Sequence, residues 1–171
     1  MINEFNFFHG AVFTELVHHC SQSISIRSLD DSENSAYVIN DRVGLYIKYS
    51  KKRLTPWTFT FLMKHQDTIK KLKDSFGEVV VVLVCNDDGI VGLSFDELKY
   101  ILDHNHEDVE WVRVSRSKRS MYQVSGTDGD LNFKIARDDY IKKILNSLDA
   151  KLAPESSENS FLGSLKEKLF N

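Results

Sequence analysis

Seven consecutive apolar residues, Val79 to Cys85 (VVVVLVC), constrain this chain more than any other segment. β-Branched side chains crowd a helix and suit a pleated strand. The run has no polar face, so a strand made from it is covered on both sides. It is far shorter than the roughly 20 residues that cross a bilayer. Gly77 ends whatever precedes it, and Asn86-Asp87-Asp88-Gly89 turns the chain back after it. A central strand buried on both faces implies helices above and below a sheet. The expected class is therefore α/β (α+β), with a central mixed β-sheet flanked by helices.

The flanking segments supply those elements. Val12, Phe13, Leu16, Val17 and Cys20 recur at helical spacing and predict a helix over Phe8 to Cys20. Glu15 lies beside that stripe, as a solvated helix acid does. Strands are expected at Ser23 to Leu29, Ala36 to Asn40, Val43 to Ser50 and Thr58 to Leu62. A tight Asp41-Arg42 turn joins the second and third of these. Ile69, Leu72 and Phe76 predict a helix over His65 to Phe76. After Glu78 to Cys85, a strand over Ile90 to Leu93 leads into a Ser94/Glu97 capping box and a helix through about Leu102. Strands at Glu110 to Arg116, Met121 to Ser125 and Leu131 to Ile135 form a C-terminal β-hairpin extension. A helix over Asp138 to Leu148 closes residues 1–152, a single α/β domain. Ala153 to Ser160 is linker-like, and Phe161 to Phe170 is a short amphipathic segment in the remainder, 153–171.

Composition bounds the function. The 171 residues carry a net charge of -3, so nucleic-acid binding has to come from a local patch. Cys20 and Cys85 are far apart, form no CxxC pair and read as free thiols in a reducing compartment. MINEFNFFHG has no basic leader before an apolar run. Cytoplasmic residence and no membrane partner are expected. Gly89-x-x-Gly92 sits in a hairpin and is no phosphate loop, and no Gly-x-Ser-x-Gly elbow occurs. His18-His19-Cys20 point in different directions on a helix and cannot share one ion. His104-x-His106, among Asp103, Glu107 and Asp108, can bind metal adventitiously but reads as a polar loop.

The informative stretch is Gly44-Leu45-Tyr46-Ile47-Lys48-Tyr49-Ser50-Lys51-Lys52-Arg53-Leu54-Thr55-Pro56-Trp57. A strand lysine is followed by a basic tripeptide and a Pro-Trp corner. With helix, three strands, helix and strand around it, the region Phe8 to Cys85 resembles the core of the PD-(D/E)XK nuclease superfamily, the restriction-endonuclease-like fold. It also looks like a prokaryotic or phage family carrying Ile-Lys-Tyr-Ser, a basic segment and Pro-Trp, which implies no activity.

The superfamily resemblance implies a site. Its members hold divalent metal with an acid near the second core strand and an acid two residues before the lysine. The lysine positions or polarises water and phosphate, and some members add a glutamate from the first helix. Lys48 fits the lysine and Glu15 the helix acid, with Asp31 and Glu33 as nearby acids. Tyr46 departs from the pattern two residues before Lys48, and a phenol is a poor ligand for Mg²⁺. With an Asp41-Arg42 turn, Asn40 faces Val43. Tyr37 or its neighbours then oppose Tyr46, and Asn34 or Ser35 lies near Lys48. None of these is acidic, although a one-residue register change alters the reading. The metal site is thus expected to be incomplete, and Mg²⁺ is a cofactor only if the domain is an active nuclease.

Two basic segments remain. Lys48, Lys51, Lys52 and Arg53 form one; Arg113, Arg116, Lys118 and Arg119 form the other. Such side chains contact phosphate oxygens without reading sequence, and Trp57 and Tyr122 are candidates to stack on bases. Three expectations follow: a nuclease-like domain contacting DNA or RNA phosphates with a degenerate metal site; a protein-interaction module using the C-terminal segment; or an active Mg²⁺-dependent nuclease using Glu15, Asp31 or Glu33, and Lys48.

Overall fold

The computed structural model describes residues 1–30 and 33–150. In chain order these form α1 (Glu4–His19), β1 (Ile26–Ser28), β2 (Ala36–Ile39), β3 (Val43–Ser50), β4 (Trp57–Leu62), α2 (Met63–Phe76), β5 (Glu78–Cys85), β6 (Gly89–Ser94), α3 (Phe95–Ile101), β7 (Val109–Ser115), β8 (Gln123–Gly126) and α4 (Asp139–Ala150). The fold is α+β, built on a mixed five-stranded sheet ordered β1-β2-β3-β5-β6 and a three-stranded sheet ordered β4-β7-β8. Among the described residues no helix is long and apolar enough to cross a membrane.

β5 is the central strand that its composition demands. Val80, Val82 and Val84 pack with Val12 and Leu16 of α1 and Ile141 and Ile144 of α4. Val79, Val81, Leu83 and Cys85 face the other way, toward Ile69 and Leu72 of α2, Leu98 of α3, and the inner side of the second sheet at Phe59, Phe61 and Val112. α4 sits so close to β6 that a Cβ on Gly92 would come within 2.3 Å of Tyr140 Cβ. β5 runs parallel to β3 and antiparallel to β6.

Several expectations need correcting. α1 begins at Glu4, four residues earlier than predicted, because Asn3 and Asn6 cap each other's backbone N–H groups at 3.0 and 3.1 Å. The turn between β2 and β3 is Asn40-Asp41, both at φ 51°, not Asp41-Arg42. Arg42 follows as an extra residue, its N–H donating to Ile39 O at 3.0 Å. Val43 therefore pairs with Ile39 rather than Asn40, and Tyr46 faces Ala36. β4 leaves the main sheet and joins the β7–β8 pair, so the hairpin extension is part of a separate sheet. Leu131 to Ile135 forms no strand. It meets its neighbours through isolated bridges at Asp130 and Ile135, and Phe133 remains 47% exposed. The expected linker and amphipathic segment, residues 153–171, lie outside the described residues.

Candidate functional site

β3 and β5 are parallel, so their carboxyl ends, Ser50 and Cys85, finish side by side. Asn86 N–H donates to Ser50 O at 3.1 Å. The crevice beyond such strand ends is where open α/β sheets place ligands. Three connections meet there: residues 51–56 after β3, the Asn86-Asp87-Asp88 turn after β5, and the turn from Arg116 to Tyr122 after β7. Arg116 N–H donates to Thr55 Oγ1 at 3.1 Å, which ties the first basic segment to the second across 61 residues.

Asp88 organises this junction. Arg116 grips it with two parallel bonds, Nε to Oδ2 and Nη2 to Oδ1, each 2.6 Å, and Tyr122 donates its hydroxyl to Oδ2 at 2.6 Å. Bidentate guanidinium–carboxylate pairing is among the strongest polar contacts available to side chains. The Arg116 bond holds the Asp88 carboxyl below the ordinary aspartate range; burial opposes this and the Tyr122 bond adds to it. Burial, with Asp88 beside it, pushes the Tyr122 phenol up to about 12. Trp57 packs edge-on against Tyr122, with centroids 6.3 Å apart, and donates Nε1–H to Lys52 O at 2.7 Å. Lys52 in turn reaches Pro56 O with Nζ at 2.8 Å. The basic loop is thereby pinned to the core.

The result is a cleft of about 200 Å³ lined by Arg53, Leu54, Thr55, Trp57, Asp88, Arg116 and Lys118. Arg53, Lys118 and Arg119 are exposed, and among the described residues no carboxylate lies within ion-pair distance of them. Lys51 is exposed and 3.2 Å from Glu4. Arg116 is committed to Asp88 and acts as a brace. Trp57 and Tyr122, expected as stacking platforms, are each 1% exposed and serve as anchors under the loop. No ring face of either is open to a base.

The residues expected to act with Lys48 divide between the two faces of the main sheet. Lys48 lies on the face of Tyr46, its Nζ 5.3 Å from the Phe61 ring centroid. Glu15 belongs to α1 on the opposite face, where Tyr140 donates a hydroxyl to it at 2.8 Å. Glu15 therefore does not join Lys48. Glu33 does, through His65, a residue the sequence pattern marked only as the start of a helix. Lys48 Nζ lies 3.2 Å from His65 Nδ1, which also accepts the Leu62 N–H at 3.0 Å. Two donors at Nδ1 leave the ring proton on Nε2, 2.8 Å from Glu33 Oε2. Lys64 approaches Glu33 at 2.6 Å. Burial works to raise the Glu33 carboxyl, but His65 and Lys64 overcome it and hold it at about 2. Burial brings Lys48 down to about 8 against the pull of Glu33.

These contacts gather Lys48, His65 and Glu33 into one cluster, in which Lys48 meets His65 Nδ1 and Glu33 lies beside Nε2 without a hydrogen bond to it. A hard cation such as Mg²⁺ takes several oxygen ligands. Among the described residues, Glu33 is the carboxylate that reaches this cluster; Asp31 lies outside them. His104 and His106 do not converge: His104 lies against Phe95, whereas His106 contacts Asp67 and Lys99. Comparison with protein-family models, curated proteins and solved structures finds no match for the chain.

Proposed function

We propose that this chain is a nuclease-like domain that contacts nucleic-acid phosphates through its basic cleft, with an incomplete metal site around Lys48. One observation carries the reading. Two basic turns more than 60 residues apart in sequence meet in one cleft, braced by Asp88 and Arg116. Arg53, Lys118 and Arg119, with Lys51 and Lys52, supply positive charge on a chain that is acidic overall. Ser50, Thr55 and Ser117 add hydroxyls. Because Trp57 and Tyr122 are buried, recognition runs through phosphate and not through base stacking, so sequence preference is low.

The scaffold supports the resemblance to the PD-(D/E)XK superfamily. α1, the β1-β2-β3 meander, α2 and β5 keep the order on which that resemblance rests, with β4 inserted and diverted to the second sheet. Tyr46 faces Ala36, so neither neighbour of Lys48 at that level supplies a carboxylate. The same reading places the chain in the cytoplasm, where Cys20 and Cys85 stay as thiols.

The test is anisotropy with labelled DNA and RNA across a salt series, beside a cleavage assay with Mg²⁺ and Mn²⁺. Wild type binds at low salt and does not cleave. Replacing Lys51, Lys52 and Arg53 with alanine weakens binding and flattens the salt slope on duplex DNA by about 0.9 per lost contact. Failure to bind DNA or RNA at low salt removes the proposal. Cleavage that disappears in Lys48→Ala would instead make the domain an active nuclease.

A second reading, a protein-interaction module, draws on the outer face of the second sheet. Val109 is 61% exposed and Trp111 36% exposed, with Arg113 over the Trp111 ring.

A further inference from the structure

The second sheet carries an acid where its pattern calls for an apolar residue. In β7, Glu110, Val112 and Val114 point inward, and Glu110 is 0% exposed. Gln66 of α2 donates to Glu110 Oε2. Glu110 Oε1 is buried and no donor reaches it. An unsatisfied carboxylate oxygen in a core is expensive unless something positive meets it.

Two more carboxyls arrive at the same point. Asp103 follows α3 and Asp128 sits in the turn after β8. One oxygen from each of Asp103, Glu110 and Asp128 lies within 4.8 Å of the others. The turn that brings Asp128 there is fixed, since its N–H donates to Ile101 O at 2.9 Å and its Oδ2 accepts Asp103 N–H at 3.1 Å. Lys99 is the cation drawn into this cluster, but an ammonium has three protons. Its Nζ meets Gln66 Oε1 at 3.0 Å, Asp103 O at 3.3 Å and His106 Nε2 at 3.0 Å. That leaves no Lys99 proton for Glu110 Oε1. Adjoining carboxyls without a donor between them require a shared proton or a cation.

We propose that Asp103, Glu110 and Asp128 form a binding site for a hard divalent cation, with Ca²⁺ the best fit. All three ligands are carboxylates, the donor set of hard ions. The ligand oxygens lie no more than 4.8 Å apart, within the reach of two Ca–O distances of about 2.4 Å, and Ca²⁺ accepts an irregular shell completed by water where Mg²⁺ demands near-ideal octahedral geometry. Asp103 and Asp128 are exposed, which leaves an entry path and positions for water. The site lies at the opposite end of β7 from the cleft. Arg116 lies six residue steps beyond Glu110, about 20 Å of extended chain. Its role is therefore distinct from phosphate contact: the cation fastens the loop after α3 and the turn after β8 to the start of β7.

The experiment uses the full chain stripped with EDTA, then titrated with CaCl₂, MgCl₂ or MnCl₂ by calorimetry and thermal melting. Ca²⁺ is expected to bind with measurable heat. It should raise Tm by roughly 5–10 °C at about a hundred times Kd. Glu110→Gln and Asp128→Asn, both isosteric, should stay folded and lose the response. Asp128 is exposed, so its variant remains informative if the core variant does not fold. The proposal is overturned if the wild type shows neither heat nor a Tm change with any of the three ions up to about 10 mM, ten times the weakest affinity class of such sites. It is equally overturned if both variants keep the wild-type response. A Glu110→Gln protein that melts at or above wild type, with no ion effect in either, assigns the pair to a shared proton.

Discussion

Replacing Asp88 with alanine removes three charge-assisted bonds at once, two from Arg116 and one from Tyr122. Breaking a buried pair by deleting one partner costs about 3–5 kcal/mol, because the survivor stays desolvated. Both side chains are 18% exposed, so water partly rescues Arg116 and the lower end applies, about 3 kcal/mol. For a domain of this size that lowers Tm by roughly 6–12 °C. The proposed phosphate binding should weaken too, since the cleft's two basic turns lose their common brace. Asp88→Asn keeps the shape and one acceptor oxygen, enough for the Arg116 Nε and Tyr122 bonds, but turns an NH2 toward Arg116 Nη2, and should lose about half as much. The pH dependence has a definite sign. Asp88 titrates lower folded than unfolded, so its contribution is present above about pH 4 and is lost as pH falls through the folded value. The gap between wild type and Asp88→Ala in urea denaturation should therefore close in acid. A loss below about 1 kcal/mol, or parallel pH profiles, would refute the assignment of Asp88 as the organiser of the cleft.

Val82 is 0% exposed at the centre of β5, so Val82→Asp should abolish the cooperative melt, with an unpaired buried charge costing several kcal/mol; a wild-type melting curve contradicts the packing described. Glu33 titrates at about 2 when folded, well below its unfolded value. Its contribution is thus complete above about pH 4.5 and lost toward pH 2, and Glu33→Gln should flatten that limb of a denaturation series. Lys48 behaves oppositely: with a folded value of about 8 below an unfolded value near 10.4, the unfolded chain binds more protons between them. Stability should rise with pH across that window, and Lys48→Met should remove the rise.

The cleft and the Lys48 cluster differ in what holds their charges. Lys48 is half-buried, faces the Phe61 ring and contacts the His65 ring, so it is held away from solvent. Arg53 and Lys118 stand in water at the cleft mouth. The proposed phosphate contact is therefore with the second pair. Affinity from such contacts depends on salt, while the chemistry available to Lys48 depends on pH, so the two clusters can be probed independently.

Much of the fold was legible in local pattern. VVVVLVC can satisfy its side chains only as a strand covered on both faces, and β5 is that strand. Ser94 and Glu97 spell a capping box, and the helix starts where they place it. Local chemistry alone could not settle pairing. A one-residue difference in the turn moved Ala36 opposite Tyr46, because the positive φ angles at Asn40 and Asp41 set the turn's geometry and with it the register. The second sheet was hidden because TFTFL alternates identically whichever neighbour it pairs with. Site residues followed the same division. The basic segments were visible as charge, but their meeting in one cleft is set by strand ends far apart in sequence. His65 carried no signal beyond helix position, since its partners Lys48 and Glu33 come from other elements. Glu110 did carry one: an acid in phase with Val112 and Val114 on the inward face. Only the folded chain shows what it meets there, because Asp103 and Asp128 reach it from the end of a helix and from a turn.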